Sequence, residues 1–395
     1  MRACTALGVV AVHAFYFTAY LNSSSLGYQM QNALVVALHF TREVFIFVTA
    51  FALVYVYNGR FGSPLQFWKK RALGVLVPYT IWSVIYVLVT VHFTSVGAFL
   101  QTAIFDILTG NASYQLYYIL LTLQFYLLFP LFLPFIIYCS RRPWLTLGIS
   151  FAVQVLLFAL DFHTVQQSSL PFWQAVSAFQ DRFLLVYPFY FMLGGMTALY
   201  FQQVRTFLLR HGWLILSAAT LALAALWVHF ALQVDVYHEG VGYASSVLQP
   251  IMVFYSTAII FFALWLALCW VKKAGPNQRP RHYRFWHTLS DASFGVYLVH
   301  ALILTALLQW LVPAMPTSWF EPLRAFLVWA ITAGGAVAIT ILLMNIPLVS
   351  RLVGRSGPQK RPVERRIPVA DLDHAPERSG EENRTPVRSA SQVLP

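Results

Sequence analysis

Arg2 and His13, near the start of the chain, have the types and spacing to act together. They lie eleven positions apart in RACTALGVVAVH. Eleven steps are almost three full turns of an α-helix, so both side chains share one stripe, about 16 Å apart along the axis. A fixed cation suits a phosphate or a carboxylate. A neutral imidazole suits proton abstraction from a hydroxyl. The plainer reading is an arginine that marks a helix end and a packed core histidine.

Other ionisable residues interrupt apolar runs: His39, Arg42, Glu43, His229 and His300. Inside a lipid bilayer such residues are costly, which makes each a functional candidate. Arg42 and Glu43 open the run VFIFVTAFALVYVY, which is short for a full crossing, so both are expected within the outer part of the membrane. Neighbours on a helix do not face each other, so each is expected to find its own partner on another helix. Lys69, Lys70 and Arg71 form a basic cluster read as a helix start, either a topology marker or a site for an anionic ligand. Ser290 or Asp291 is read as the cap of the helix that carries His300, itself either a supporting group or a packing histidine.

The elements that must position these residues follow from composition. The 395 residues are 59% hydrophobic and only 10% charged, where a soluble chain carries about 25% charged residues. Long, uniformly apolar runs recur between short polar breaks, which excludes barrel strands and predicts an all-α polytopic membrane protein. The predicted spans are 3–21, 34–57, 73–94, 116–138, 145–161, 183–203, 212–233, 248–271, 292–313 and 323–346. A further interfacial helix is expected over 97–109.

Lys and Arg collect in every second loop: Arg60 with Lys69–Arg71, then Arg141 and Arg142, Arg205 and Arg210, and Lys272 to Arg284. Basic residues accumulate on the cytoplasmic side, so ten spans with both termini cytoplasmic satisfy all the loops. Residues 1–349 are read as one transmembrane domain and 350–395, rich in Arg, Pro, Glu and Ser, as a disordered cytoplasmic tail. The three cysteines form no CxxC pair. No HExxH, P-loop or GxSxG pattern is present, so no metal, no permanently bound cofactor and no nucleic-acid partner is expected.

Taken in order, six segments resemble acyltransferase family 3: the R-x10-H of Arg2 and His13, REVFIFVTAF, KKRALGVLVPYTIW, YQLYYILLTLQFYLLFP, YPFYFMLGGM and SFGVYLVH. The branch most resembled is the intercellular-adhesin-type polysaccharide O-acyltransferases. Thr49-Ala50-Phe51 stands where that family usually has Ser-Gly-Phe, and Gly74 where many members carry a second basic residue. Members usually have several residues ahead of the arginine, so an upstream start is expected.

The resemblance implies transfer of an acyl group, acetyl or succinyl, from cytoplasmic acyl-CoA (acetyl-CoA or succinyl-CoA) to a hydroxyl of a cell-surface or lipid-linked polysaccharide. It implies a multi-pass protein of the plasma membrane, in contact with lipid. His13 would be the catalytic base and Arg2 its companion. Arg71 would belong to the donor site; the residues themselves, apart from the resemblance, add Lys69 and Lys70 to that site and Arg42, Glu43 and His300 as supporting or charge-stabilising groups. No esterase-like domain is expected after the last span. The rival expectation is an exporter of polysaccharide or lipid-linked sugar, because intramembrane His, Arg and Glu also build proton relays.

Overall fold

A computed structural model describes residues 1–19, 26–274, 282–316, 318–347 and 349–354. No strand occurs among them. The chain runs through α1 (Arg2–Thr18), α2 (Leu26–Leu38) and α3 (Thr41–Tyr57), then α4 (Pro64–Arg71), a wide π turn (Ala72–Leu76) and α5 (Val77–Thr90). It continues through α6 (Val96–Thr109), α7 (Tyr117–Cys139), α8 (Pro143–Leu160), α9 (Pro171–Phe179), α10 (Pro188–Leu199), α11 (Phe201–Arg210) and α12 (Gly212–Ala231). The last helices are α13 (Val241–Ala244), α14 (Pro250–Lys272), α15 (Tyr283–Ala306) and α16 (Glu321–Asn345).

Among the described residues, eight helical rods are long and apolar enough to cross a membrane: Leu26–Tyr57, Pro64–Thr90, Tyr117–Cys139, Pro143–Val165, Gly212–Val236, Pro250–Lys272, Tyr283–Ala314 and Glu321–Asn345. Each falls on an expected span. The other two expected spans coincide with shorter helices, α1 of 17 residues and α10 of 12. The chain is an all-α polytopic membrane protein.

Local sequence explains where the helices begin and end. Pro64, Pro143, Pro171, Pro188 and Pro250 each stand in a first turn, where a missing N–H costs nothing and the fixed φ is already helical. Ser95 caps α6 by accepting from Ala98 N at 3.1 Å, and Gly110, with φ +76°, closes it. α10 is short because Pro188 starts it and Tyr200, at φ −108° and ψ 29°, breaks it. Every residue from Phe189 to Ala198 is buried, so α10 meets other helices, not lipid. Gly194 makes the closest of these contacts. A Cβ there would lie 2.4 Å from Phe47 O on α3, so only glycine lets the two backbones approach.

α1 lies among α2, α3, α15 and α16. Gly8 brings it against Thr41 of α3, where a Cβ would sit 2.9 Å from Thr41 Cγ2. Trp329 Nε1 donates to Leu7 O at 3.1 Å and ties α1 to α16.

Several boundaries differ from expectation. The second span starts at Leu26 and is broken between Leu38 and Thr41, which puts Arg42 and Glu43 at a helix restart in the middle of a rod. The basic cluster does not open a helix. It lies within the continuous rod Pro64–Thr90, because Pro64 starts that rod ahead of it. Ser290 and Asp291 do not cap α15, which already begins at Tyr283; Asp291 pairs instead with His287 one turn back, at 3.1 Å. Residues Val349–Val353 form a 3-10 turn against α16, α5 and α15, and Trp82 Nε1 donates to Leu352 O at 2.9 Å. The rest of the expected tail, 355–395, lies outside the described residues.

Candidate active site

His13, three turns into α1, faces the segment before α7 and the middle of α15. Its ring centre lies 4.4 Å from that of Tyr114 and 5.5 Å from that of His300, with the two imidazoles nearly parallel at 19°. His300 is fully buried. Its Nδ1 lies 2.8 Å from Tyr297 O and 3.3 Å from Val296 O. A carbonyl only accepts, so Nδ1 carries the hydrogen and Nε2 is left with a lone pair. That Nε2 is buried and has no partner among the described residues, and the same holds for the Tyr114 hydroxyl. Buried polar atoms are normally paired, so two unpaired ones beside one imidazole need an explanation.

A cavity of about 70 Å³ opens beside His13, walled in part by His39, Arg42, Gln115, Tyr117 and Tyr297. It holds a few waters or one small group, since a single water needs about 10–15 Å³ on this measure. The break after Leu38 delivers His39 and Arg42 to this wall. Gln115 is held by the Tyr297 hydroxyl, which donates to its carbonyl oxygen, and the Tyr86 hydroxyl braces α15 by donating to Leu298 O at 2.6 Å. His229, on α12, does not line the cavity.

The expectation for Arg42 and Glu43 is corrected. They pair with each other: Arg42 Nε and Nη2 donate to Glu43 Oε1 at 3.1 and 2.8 Å. The spacing rule concerns side chains on a regular helix face. Here the pair sits in the first turn after a break, and the long arginine side chain swings round to its neighbour. The guanidinium also lies 4.6 Å from the Tyr187 ring centre. The pair is buried, so this cation is already neutralised.

The other expected cations form a separate, lower group. Arg2 is exposed at the start of α1 and does not line the His13 cavity. It lies instead within electrostatic reach of Tyr126 on α7. Arg71, half-buried, places its guanidinium 5.2 Å from the Tyr126 ring centre and 5.4 Å from that of Phe67. Lys69 and Lys70 are exposed on the last turn of α4. The structure therefore brings His13 together with His300, and it sets Arg2 and Arg71 each within electrostatic reach of Tyr126. Tyr126 and Tyr117, nine residues apart on α7, span about 14 Å, close to the Arg2–His13 separation along α1. Two levels result: cations at one, imidazoles and a cavity at the other.

Sequence reasoning gave no role to Tyr114, Gln115 or Tyr126. The run YQLYY, polar groups directly ahead of a long apolar helix, carried the signal for the first two. Among the described residues, no three His, Cys, Asp or Glu side chains stand together in a way that could hold a metal ion.

Comparison with known proteins agrees with the geometry. The model of the acyltransferase domain of acyltransferase family 3 matches residues 1–345. No curated protein and no solved structure matches the chain. That match spans all the helices that build the His13 cavity and the Arg2–Arg71 level: the chain belongs to acyltransferase family 3 and is a membrane acyltransferase.

Proposed function

We propose that the chain moves a short acyl group, acetyl or succinyl, from cytoplasmic acyl-CoA to a hydroxyl of an extracytoplasmic or lipid-linked polysaccharide at the plasma membrane. The supporting topology is the one the basic loops favour, ten crossings with both termini cytoplasmic. The observation that carries the proposal is the pair His13 and His300, with a lone pair of His300 left buried and unpaired beside the His13 ring.

The steps follow from the two levels. Arg2 and Arg71, with Lys69 and Lys70 at the rim, hold the phosphates of the donor. The pantetheine arm extends along α1 and α7 and brings the thioester to the cavity. His13 takes the proton of the sugar hydroxyl. The oxygen attacks the thioester carbonyl, the C–S bond breaks, and the leaving thiolate recovers the proton from the imidazolium. The Nδ1 hydrogen of His300 is taken up by the carbonyls of Tyr297 and Val296, so toward His13 the ring offers an acceptor. Two stacked imidazolium ions 5.5 Å apart would repel, so His300 serves His13 as a neutral acceptor. The neutralised Arg42–Glu43 pair closes the far wall and positions Tyr117 and Tyr187.

Membranes that contain the protein, supplied with labelled acetyl-CoA or succinyl-CoA, should place label on surface glycan. His13→Ala protein of unchanged thermal stability should not. Undiminished transfer by that variant would sink the mechanism.

A further inference from the structure

One end of the bundle combines a near absence of cations with a surplus of hydrogen-bond acceptors. Segments 161–182 and 232–249 meet there, and Arg182 is their one Lys or Arg. It is committed: Nη1 donates to Thr109 O at 2.6 Å, and Nε lies 3.4 Å from Asp181. Gln166 Nε2 donates to Asp161 Oδ2 at 2.5 Å and to Ser246 Oγ at 2.9 Å. Gln249 Nε2 donates to Ala244 O at 2.7 Å and to Ser246 O at 2.8 Å. The amide hydrogens of both glutamines are thus used within the cluster.

The atoms left over are oxygens, apart from Arg182 Nε, which faces Asp181 Oδ1 in an ion pair and makes no hydrogen bond. Asp161 Oδ1, Gln233 Oε1 and Gln249 Oε1 have no donor among the described residues, and these residues are 5%, 3% and 1% exposed. Glu239 Oε2, on the same segment as Gln233, is also unpaired. A buried acceptor without a donor is costly, and a set of them fits a ligand rich in O–H or N–H groups. Tyr243 stacks on Phe162 with ring centres 4.1 Å apart; its hydroxyl accepts from Gln167 at 2.5 Å and donates to Phe162 O at 3.0 Å. Val247, in the same segment, lines the His13 cavity.

We propose that this cluster is the docking subsite for the acceptor glycan. The unpaired oxygens take hydroxyl or ammonium hydrogens of the sugar rings, and the outer face of half-buried Tyr243, stacked on Phe162, offers its π surface to the C–H groups of a sugar ring. The glycan carries no carboxylate or phosphate where it docks, because buried acceptors and carboxylates repel an anion and the two cations within reach, Arg182 and Arg42, are each paired with a carboxylate. The inference rests on the glycan-acyltransferase reading above.

The test uses the full chain in membranes with labelled acetyl-CoA and three soluble acceptors: oligomers of N-acetylglucosamine, of glucosamine and of galacturonic acid. These present hydroxyls, ammonium groups and carboxylates. Transfer to at least one of the first two should exceed transfer to the third by about tenfold or more. Gln166→Ala and Tyr243→Ala should each raise the acceptor KM and not the donor KM, and Asp161→Asn, which keeps its size, should narrow the gap between acceptors. A preference for the galacturonic oligomer, or an acceptor KM indifferent to all three substitutions, overturns the subsite. So does transfer to none of the three while native surface glycan is still acylated, which spares the parent reading. Absence of acylation on any glycan removes both.

Discussion

The α3–α10 seam at Gly194 and the α1–α15 seam at His13 are both buried, yet they are built on opposite rules. At Gly194 the contact atoms are Phe47 O, the Ala50 methyl group and Phe51 N, so backbone meets backbone where no side chain fits. At His13 two imidazoles and a phenol ring fill the space, and a ring nitrogen and a hydroxyl are left unpaired. The first arrangement gains close packing and rigidity. The second gives up hydrogen bonds that a purely structural core would make, and it retains groups able to handle a proton. Stability should therefore reside at one seam and reactivity at the other.

The sharpest way to break that contrast is His13→Ala. Loss of a general base should lower kcat by about 10²–10⁴, with the thermal midpoint in detergent little changed. His300→Ala should reduce kcat as well, and the double variant should be little slower than the slower single one, because the two rings act as a unit. Additive losses would mean that the rings act separately. A large fall in the thermal midpoint instead would make the histidine seam structural, like its counterpart.

Glu43→Gln tests the element between the two seams. It keeps the shape and removes the charge that neutralises Arg42. Breaking a buried ion pair by changing one partner costs about 3–5 kcal/mol, which should appear as a clear drop in thermal midpoint. An unchanged midpoint would show that water reaches the pair and that the wall of the cavity is open. Gly194→Ala is expected to cost less, about 1–3 kcal/mol of overpacking. The protein that still folds should retain its transfer rate per molecule, since the change is remote from His13.

One side of this contrast is legible in the sequence, and the Gly194 seam is not. The apolar runs located the long rods, and residue type alone marked His13 and His300. Their meeting was not legible, because 287 positions separate them and only the packing of α1 on α15 joins them. The Arg42–Glu43 pairing was misjudged because the spacing rule assumes an unbroken helix, and nothing in VVALHFTREV announces the break after Leu38. The length of α10 was hidden for a related reason. Its flanks, FLLVY and YFQQV, are apolar enough to extend a span on paper, and only the dihedral angles at Tyr200 show the chain turning.

The smallest expected effects lie at the cation level and divide Arg71 from its neighbours. Lys69 and Lys70 are exposed, and exposed charges contribute about 0.2–1 kcal/mol to an interaction, a factor below about five. Lys69→Ala and Lys70→Ala should each raise the acyl-CoA KM by no more than that, and the effect should fade with added salt. Arg71 is different. Its guanidinium rests against Tyr126 and Phe67, its Nε is buried and unpaired, and Arg2 acts on the same tyrosine. A planar donor fork held by two rings loses little freedom when it binds a phosphate. Arg71→Lys, which keeps the charge but not the fork, should therefore weaken acyl-CoA binding more than either lysine-to-alanine change, and high salt should mask less of the loss. Equal, salt-sensitive effects from all three would make Arg71 one more surface charge, and the cation level would then be a general field over the membrane face, not a seat for the donor.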